Sequence, residues 1–322
     1  RRMTTLVACY GGTLATALPF PELPVAQGPA DWTLALAAAL PAMRAGRGVS
    51  QLRQGACDLA VVRHADGLRF VHSCTGAFDV RDGGRSLLCA PAPGVLPERL
   101  RLDVLGRVLA LAAHERGEAC LHASAVVAHG AAIALVAHKG TGKSTLAAAL
   151  VRAGARLLGD DVVPVRCTAA ARSVPLALPG VHSPRLRAAV AARVVADDMP
   201  ARPSYDGKVA LEHLAARRAA TAPAPLAAIY VLTAAAADAS HAATRTALPP
   251  FAALATLLPH GKLGALLGGE EAARQLDLLH GLASTVPVHA LAVARDLARL
   301  DDAARTVLAW HDRGAEPEAA AA

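Results

Sequence analysis

The sequence predicts an α/β protein with a smaller β-rich region at its N-terminal end and a larger layered domain after it. Three observations carry that prediction. Short apolar runs separated by Gly and Pro turns fill the chain up to about Ala90. Strands then alternate with helices from about residue 118, the pattern of a layered fold. Within that alternation a Gly-rich loop at residues 138–145 sits between an apolar strand and a helix. A length of 322 residues suits two domains, and 54% hydrophobic against 18% charged residues supplies a sizeable core. The expected division is 1–95, a β-rich domain; 96–314, an α/β domain; and 315–322, a disordered tail.

In order along the chain, strands are expected at Thr5–Tyr10, Leu59–Val62, Leu68–Ser73 and Arg85–Cys89. Asp66-Gly67 between two apolar runs is a strong hairpin signal. One helix is expected around Asp31–Arg44, and Pro91–Pro97 reads as a linker. The spacing of Leu100, Leu102, Leu105, Val108, Leu109 and Leu111 predicts a helix over Leu100–Arg116. Strands Ala119–Val127 and Ala132–Ala137, helix Lys143–Arg152 and strand Arg156–Leu158 follow. Ala169–Pro203 is Pro-rich and irregular. Strand Ala228–Thr233, helices Pro250–Leu257 and Glu270–Ala283, strand Val288–Ala292 and helix Leu297–His311 complete the list.

Composition excludes several functions. The net charge of +7 comes from scattered arginines with no basic run, and aromatics are only 3%, so a nucleic-acid arm or stacking platform is not expected. Apolar stretches at 119–138 and 219–237 are broken by His122, His129 and Gly130 or by Pro223 and Pro225, so neither reads as a membrane span. Arg1–Tyr10 has no signal-peptide character, and a cytoplasmic protein is expected. The six cysteines, Cys9, Cys57, Cys74, Cys89, Cys120 and Cys167, lack CxxC or paired spacing. Buried free thiols are therefore expected, rather than disulfides or zinc.

The sharpest motif runs Ala137-His138-Lys139-Gly140-Thr141-Gly142-Lys143-Ser144-Thr145. Gly140 and Gly142 allow a tight backbone whose N–H groups point at phosphate oxygens, and the helix N-terminus adds partial positive charge. In such a loop Lys143 reaches the β- and γ-phosphates and Ser144 ligates Mg²⁺. Ala137 replaces the pattern's first glycine, a change that needs a negative φ there. Lysine scarcity points to the same loop: Lys139 and Lys143 are two of only four lysines, against 29 arginines. A compact point charge between phosphates is not replaced by a planar guanidinium.

Beyond the loop helix, the strand into Gly159-Asp160-Asp161 ends in two carboxylates, where a phosphate-loop fold places its second metal contact. On an extended chain they point to opposite sides, so one could hold Mg²⁺ while the other faces a substrate hydroxyl.

Together, Leu121-His122-Ala123-Ser124-Ala125-Val126, the loop Gly140–Ser144, and Gly154 through Asp161 resemble the HPr kinase/phosphorylase family over about residues 100–312. The likeness is greatest to its short peptide and serine kinases associated with lasso-peptide biosynthesis. It implies a P-loop core related to phosphoenolpyruvate carboxykinase and the HPr kinase C-terminal domain. It also implies ATP and Mg²⁺ as cofactors and phosphoryl transfer to a serine of a peptide or small protein. By position, Lys139 to Thr145 match the nucleotide loop, Asp160 the general base, Asp161 with Ser144 the metal side, and His122 a histidine near the acidic pair. Lys208 resembles a family lysine near the nucleotide. Two departures stand beside this. No glutamate lies between Val162 and Leu211 to complete the family's metal site, where Asp197, Asp198 and Asp206 are the acids present. Phosphorylase activity and the HPr protein as substrate are accordingly not implied. Arg185 and Arg187 after Pro179-Gly180 could clamp phosphate or a substrate carboxylate, with surface charge the favoured reading, and a homo-oligomer is compatible with the family. The alternatives are a small-molecule kinase and a non-catalytic ATP-binding switch.

Overall fold

The Asp66-Gly67 turn closes a hairpin whose register sets much of the N-terminal sheet. The computed structural model describes residues 4–43, 46–167, 174–194, 201–203, 207–211, 218–234, 240–294 and 296–312. The first eight strands are β1 (Thr5–Cys9), β2 (Gly12–Thr16), β3 (Trp32–Leu36), β4 (Arg47–Gln54), β5 (Cys57–His64), β6 (Gly67–His72), β7 (Gly76–Arg81) and β8 (Ser86–Pro91). They form one sheet in the order β1-β2-β3-β8-β7-β6-β5-β4. Gly67 must have no side chain: its φ is +144°, and a Cβ there would lie 2.0 Å from the Val80 carbonyl oxygen.

Two expectations in this region are corrected. Trp32-Thr33-Leu34-Ala35-Leu36 is a strand, not the start of a helix. Trp32 and Leu34 are buried while Thr33 and Ala35 are exposed, and the strand is paired in parallel with β2 and β8. Sheet context overrides the helix propensity of its leucines and alanine. Cys57 and Cys74 form a disulfide, against the expectation of free thiols. The hairpin pairs His64 with Gly67 and Leu59 with His72, and the same register continued carries Cys57 opposite Cys74. The thiols of Cys9, Cys89 and Cys120 are buried as expected, and burial pushes those of Cys9 and Cys89 up to about 12.

Helices α1 (Pro97–Asp103) and α2 (Leu109–Glu115) flank a π-turn over Val104–Val108. This helical segment shares one hydrophobic cluster with the N-terminal sheet through Val104, Val108, Leu109, Phe70 and Phe78. Tyr10 donates a 2.6 Å hydrogen bond to the Leu105 carbonyl inside the π-turn. Such turns recur at functional sites.

The second sheet contains β9 (Ala119–Leu121), β10 (Ala123–Ala128), β11 (Ala131–Val136), β12 (Arg156–Gly159), β13 (Val163–Arg166) and β14 (Leu176–Ala177). The short strands β15 (Arg185–Leu186), β16 (Ala201–Pro203) and β17 (Val209–Leu211) pair among themselves, the first two within the stretch expected to be irregular. The second sheet continues with β18 (Ala224–Ala234), β19 (Ala243–Ala247) and β20 (Val288–Val293). Its path is β12-β10-β11-β18-β14-β13-β9, with β20 against β18 and β19 against β20. The helices after α2 are α3 (Lys143–Arg152), α4 (Ala188–Val194), α5 (Pro250–Leu257), α6 (Gly269–Thr285) and α7 (Leu300–Ala309). One face of the sheet packs Leu146, Leu150 and Val307 against Ile133, Leu135 and Tyr230. The other packs Leu257, Leu279 and Leu282 against Ala134, Val136 and Ile229. The result is a helix–sheet–helix sandwich.

Topology fixes where the two motifs meet. β10 runs antiparallel to both β11 and β12. β11 and β12 therefore point the same way, and their C-terminal ends open on one edge of the sheet. The Gly-rich loop leaves the first and the aspartate pair leaves the second. Between the two sheets, Arg63 of β5 binds Glu115 of α2 at 2.7 Å and Glu271 of α6 at 2.5 Å. No helix among the described residues is long and apolar enough to cross a membrane.

Candidate active site

The loop between β11 and α3 has the backbone its glycines predict. Gly140 has φ of +88° and Gly142 +115°, while Ala137 keeps a negative φ, as its replacement of glycine requires. The Thr141 N–H bonds the His138 carbonyl, and α3 begins at Lys143. Lys143 is 8% exposed, and its Nζ donates to the carbonyl of Ala137 at 2.8 Å. Burial pulls its pKa below the ordinary lysine value, although Asp160 and Asp161 oppose that shift.

Asp160 is buried at the end of β12 and accepts hydrogen bonds from two hydroxyls. Ser144 Oγ approaches its two carboxylate oxygens at 2.9 and 3.1 Å, and Ser124 Oγ of β10 donates at 2.5 Å. Asp161 turns away because its φ is +72°, a left-handed conformation uncommon for aspartate. Its carboxylate meets Lys262 Nζ at 2.8 Å, His122 Nδ1 at 3.2 Å and Arg185 at 3.9 Å. His122 Nδ1 also lies 3.0 Å from the Asp161 carbonyl oxygen, which fixes the ring against the turn. Burial works against the Asp161 carboxylate, but Lys262 and His122 outweigh it and hold its pKa well below the usual carboxylate range.

These contacts separate the two aspartates in a way the sequence left undecided. The resemblance puts Ser144 and Asp161 on the metal side; in the structure Ser144 contacts Asp160, while Asp161 faces Lys262, Arg185 and His122. The cause is local. The left-handed turn at Asp161 ends the extended chain, so strict strand alternation no longer aims its side chain.

Apart from the buried Ser124, the side chains just described line one cleft of about 1010 Å³. It includes His122, Lys139, Gly140, Gly142, Lys143, Ser144, Thr145, Asp160, Asp161 and Lys208 among the residues singled out from sequence. Thr141 contributes the turn within the loop. Arg185 and Arg187, expected to be surface charge, also line the cleft and are corrected accordingly. Asp197, Asp198 and Asp206 lie outside the described residues, as does the 315–322 tail.

Lys262 is the residue sequence reading missed. Its backbone N–H bonds the Cys120 carbonyl, the neighbouring His122 N–H bonds the His260 carbonyl, and Leu121 bridges Gly261. These pairings deliver Lys262 to Asp161 from 101 residues away. All four lysines of the chain thus line the cleft. Scarcity of lysine is the available signal: the two lysines outside the loop, Lys208 and Lys262, meet it in the same cleft. Gly106 of the π-turn forms the facing wall: a Cβ there would lie 3.9 Å from both Asp161 Oδ2 and Lys262 Nζ. His260 lies beneath the cleft, and burial, with His138, Lys143 and His122 nearby, pushes its pKa down to about 4.

A Mg²⁺–triphosphate fits this donor set. One hydroxyl and one buried carboxylate share a short contact, a Gly-rich helix N-terminus opens beside them, and seven Lys and Arg side chains line the cleft against two carboxylates. No protein-family model matches the chain, and no curated protein matches it. Among solved structures it is similar to the HPr(Ser) kinase/phosphatase from Coxiella burnetii, at 10% identity and a TM-score of 0.31, aligned over 60% of this chain and 95% of that one.

Proposed function

We propose that the chain is a Mg²⁺- and ATP-dependent phosphotransferase that passes a phosphoryl group to a serine hydroxyl on a peptide or small protein. One observation carries the reading: a phosphate loop, a hydroxyl–carboxylate pair and a second, cation-held carboxylate converge in one cleft. A non-catalytic nucleotide switch has need of the first two but not the third.

The residues divide the work as follows. Lys143 and the loop amides hold the β- and γ-phosphates, with Lys139, Lys208, Arg185 and Arg187 along the same cleft. Ser144 and Asp160 hold Mg²⁺. When bound, the nucleotide would supply the phosphoryl group and the metal would neutralise charge on its oxygens. Asp161 orients the acceptor hydroxyl and takes its proton as the new P–O bond forms and the bond from the γ-phosphorus to the departing nucleoside diphosphate breaks, and Lys262 keeps that carboxylate ionised beforehand. His122 positions Asp161 through the side-chain and backbone contacts described above. This assigns the base to Asp161 and the metal to Asp160, the reverse of the family-based expectation, because Ser144 contacts Asp160.

The test is transfer from γ-labelled ATP to peptides and extract proteins, with the label located by mass spectrometry. Asp161→Asn is expected to bind Mg²⁺–ATP normally and to lose transfer, whereas Asp160→Asn loses Mg²⁺-dependent binding. The opposite result would restore the reversed roles. Tight ATP binding with no transfer to any acceptor would leave a binding module instead.

A further inference from the structure

Away from the cleft, three metal-ligating side chains gather on the N-terminal sheet. Strand alternation puts Cys57 on the same face of β5 as buried Leu59. The hairpin register places Leu59 opposite His72 and carries Cys57 opposite Cys74. One ligand atom from each of Cys57, His72 and Cys74 lies within 4.8 Å of the others. All three residues are half-buried, so they are shielded yet reachable.

A second observation concerns the histidine. His72 Nδ1 is held by Asp103 Oδ2 at 2.5 Å and by Thr75 Oγ1 at 2.8 Å. Asp103 is 2% exposed and is itself gripped by Arg107. A carboxylate on one imidazole nitrogen fixes the ring and raises the basicity of the other, the arrangement that supports metal-bound histidines. Nε2 is the nitrogen left for a ligand. In the state described here the two sulfurs are bonded to each other, which excludes a metal.

We propose that Cys57, Cys74 and His72 form a thiol-gated site for a borderline-soft divalent cation, Zn²⁺ by ligand type, which opens when the disulfide is reduced. A dithiol reductant gives two electrons and two protons to the Cys57–Cys74 bond and is itself oxidised to a disulfide. Binding of the cation then expels the two thiol protons, so two thiolates balance its charge. Tetrahedral zinc–thiolate geometry places ligand atoms about 3.8 Å apart, a spacing reached by side-chain rotation from the present cluster. Three protein ligands leave the fourth position to water.

Co²⁺ titration of the full chain, reduced and oxidised, tests this through the thiolate-to-cobalt charge-transfer band. The reduced protein is expected to bind one Co²⁺ per chain, displaceable by Zn²⁺, and the oxidised protein none. The band is expected to vanish in the Cys57→Ser, Cys74→Ser double variant and to persist in Cys167→Ser. Asp103→Asn should weaken binding about 10- to 100-fold. No band in the reduced protein, or a band that survives the double variant, would overturn the proposal. A second readout needs no variant: Zn²⁺ should slow alkylation of Cys57 and Cys74 in the reduced wild-type chain, and equal rates with and without Zn²⁺ would also overturn it.

Discussion

Asp79 in the N-terminal sheet and Asp161 in the second sheet are both carboxylates held by cations, yet they sit in opposite settings. Asp79 is fully buried between Arg69 at 2.6 Å and Arg81 at 2.5 Å. Burial disfavours its charge, but the two guanidiniums outweigh that and lower its pKa. The cluster closes on itself. Asp161 keeps about a third of its side chain exposed, stands on a left-handed residue, and faces a cleft with seven Lys and Arg side chains. A closed cluster stabilises a fold, whereas an excess of one sign in an open cleft attracts a ligand of the other.

The largest effect expected is on chemistry. Lys143→Ala should lower phosphoryl transfer by about 10²- to 10³-fold, the usual loss for one electrostatic donor, with thermal stability unchanged. Steady-state rates beside a melting curve check both halves. The mirror experiment is Asp79→Ala, which strands two arginines. It should cost about 3–5 kcal/mol in denaturant unfolding while activity per folded molecule stays constant. If Asp79→Ala abolished transfer at full stability, the contrast between the two regions would fail.

Opening the disulfide comes next. Cys57 and Cys74 are 17 residues apart in sequence, and the loss of that closure should cost about 3 kcal/mol, read by urea unfolding with and without reductant. A subtler test addresses Lys262. The folded pKa of Asp161 is depressed, so its stabilising contribution is present above the ordinary carboxylate value of about 3.9 and is lost only as pH falls through the lower folded value. Lys262→Met should move the acid limb of the transfer profile upward, toward that ordinary value. An unmoved limb would show that Lys262 does not tune Asp161. The smallest effect is Gly142→Ala, where φ of +115° makes a side chain unfavourable by about 1 kcal/mol in unfolding experiments.

How much of this was legible in the sequence depends on distance along the chain. Helix Lys143–Arg152 and helix Pro250–Leu257 match the sequence reading residue for residue, because loop glycines and Pro250 mark their starts locally. Trp32–Leu36 was misread because its leucines suit either element, and only pairing with β2 and β8 decides. The disulfide was within reach: the Asp66-Gly67 turn was recognised, and its register counted outward leads to Cys57 opposite Cys74. Lys262 was not within reach of any local rule, since it meets Asp161 through long-range backbone pairing of Cys120–His122 with His260–Lys262. The different surroundings of the two aspartates were hidden for another reason. They turn on a single positive φ at Asp161, a conformation that aspartate adopts more readily than most residues but that its presence does not require.

The π-turn at Val104–Val108 has an evolutionary corollary. An α-helix advances about 100° per residue, so deleting one residue from this stretch would restore a regular helix and swing everything ahead of it by that angle. The shorter helix would be smoother, yet Gly106 would no longer face Asp161 and Lys262, and Tyr10 would lose the Leu105 carbonyl. Length in this segment is therefore under tighter constraint than residue identity. Related chains would tolerate substitutions along it sooner than a single-residue indel.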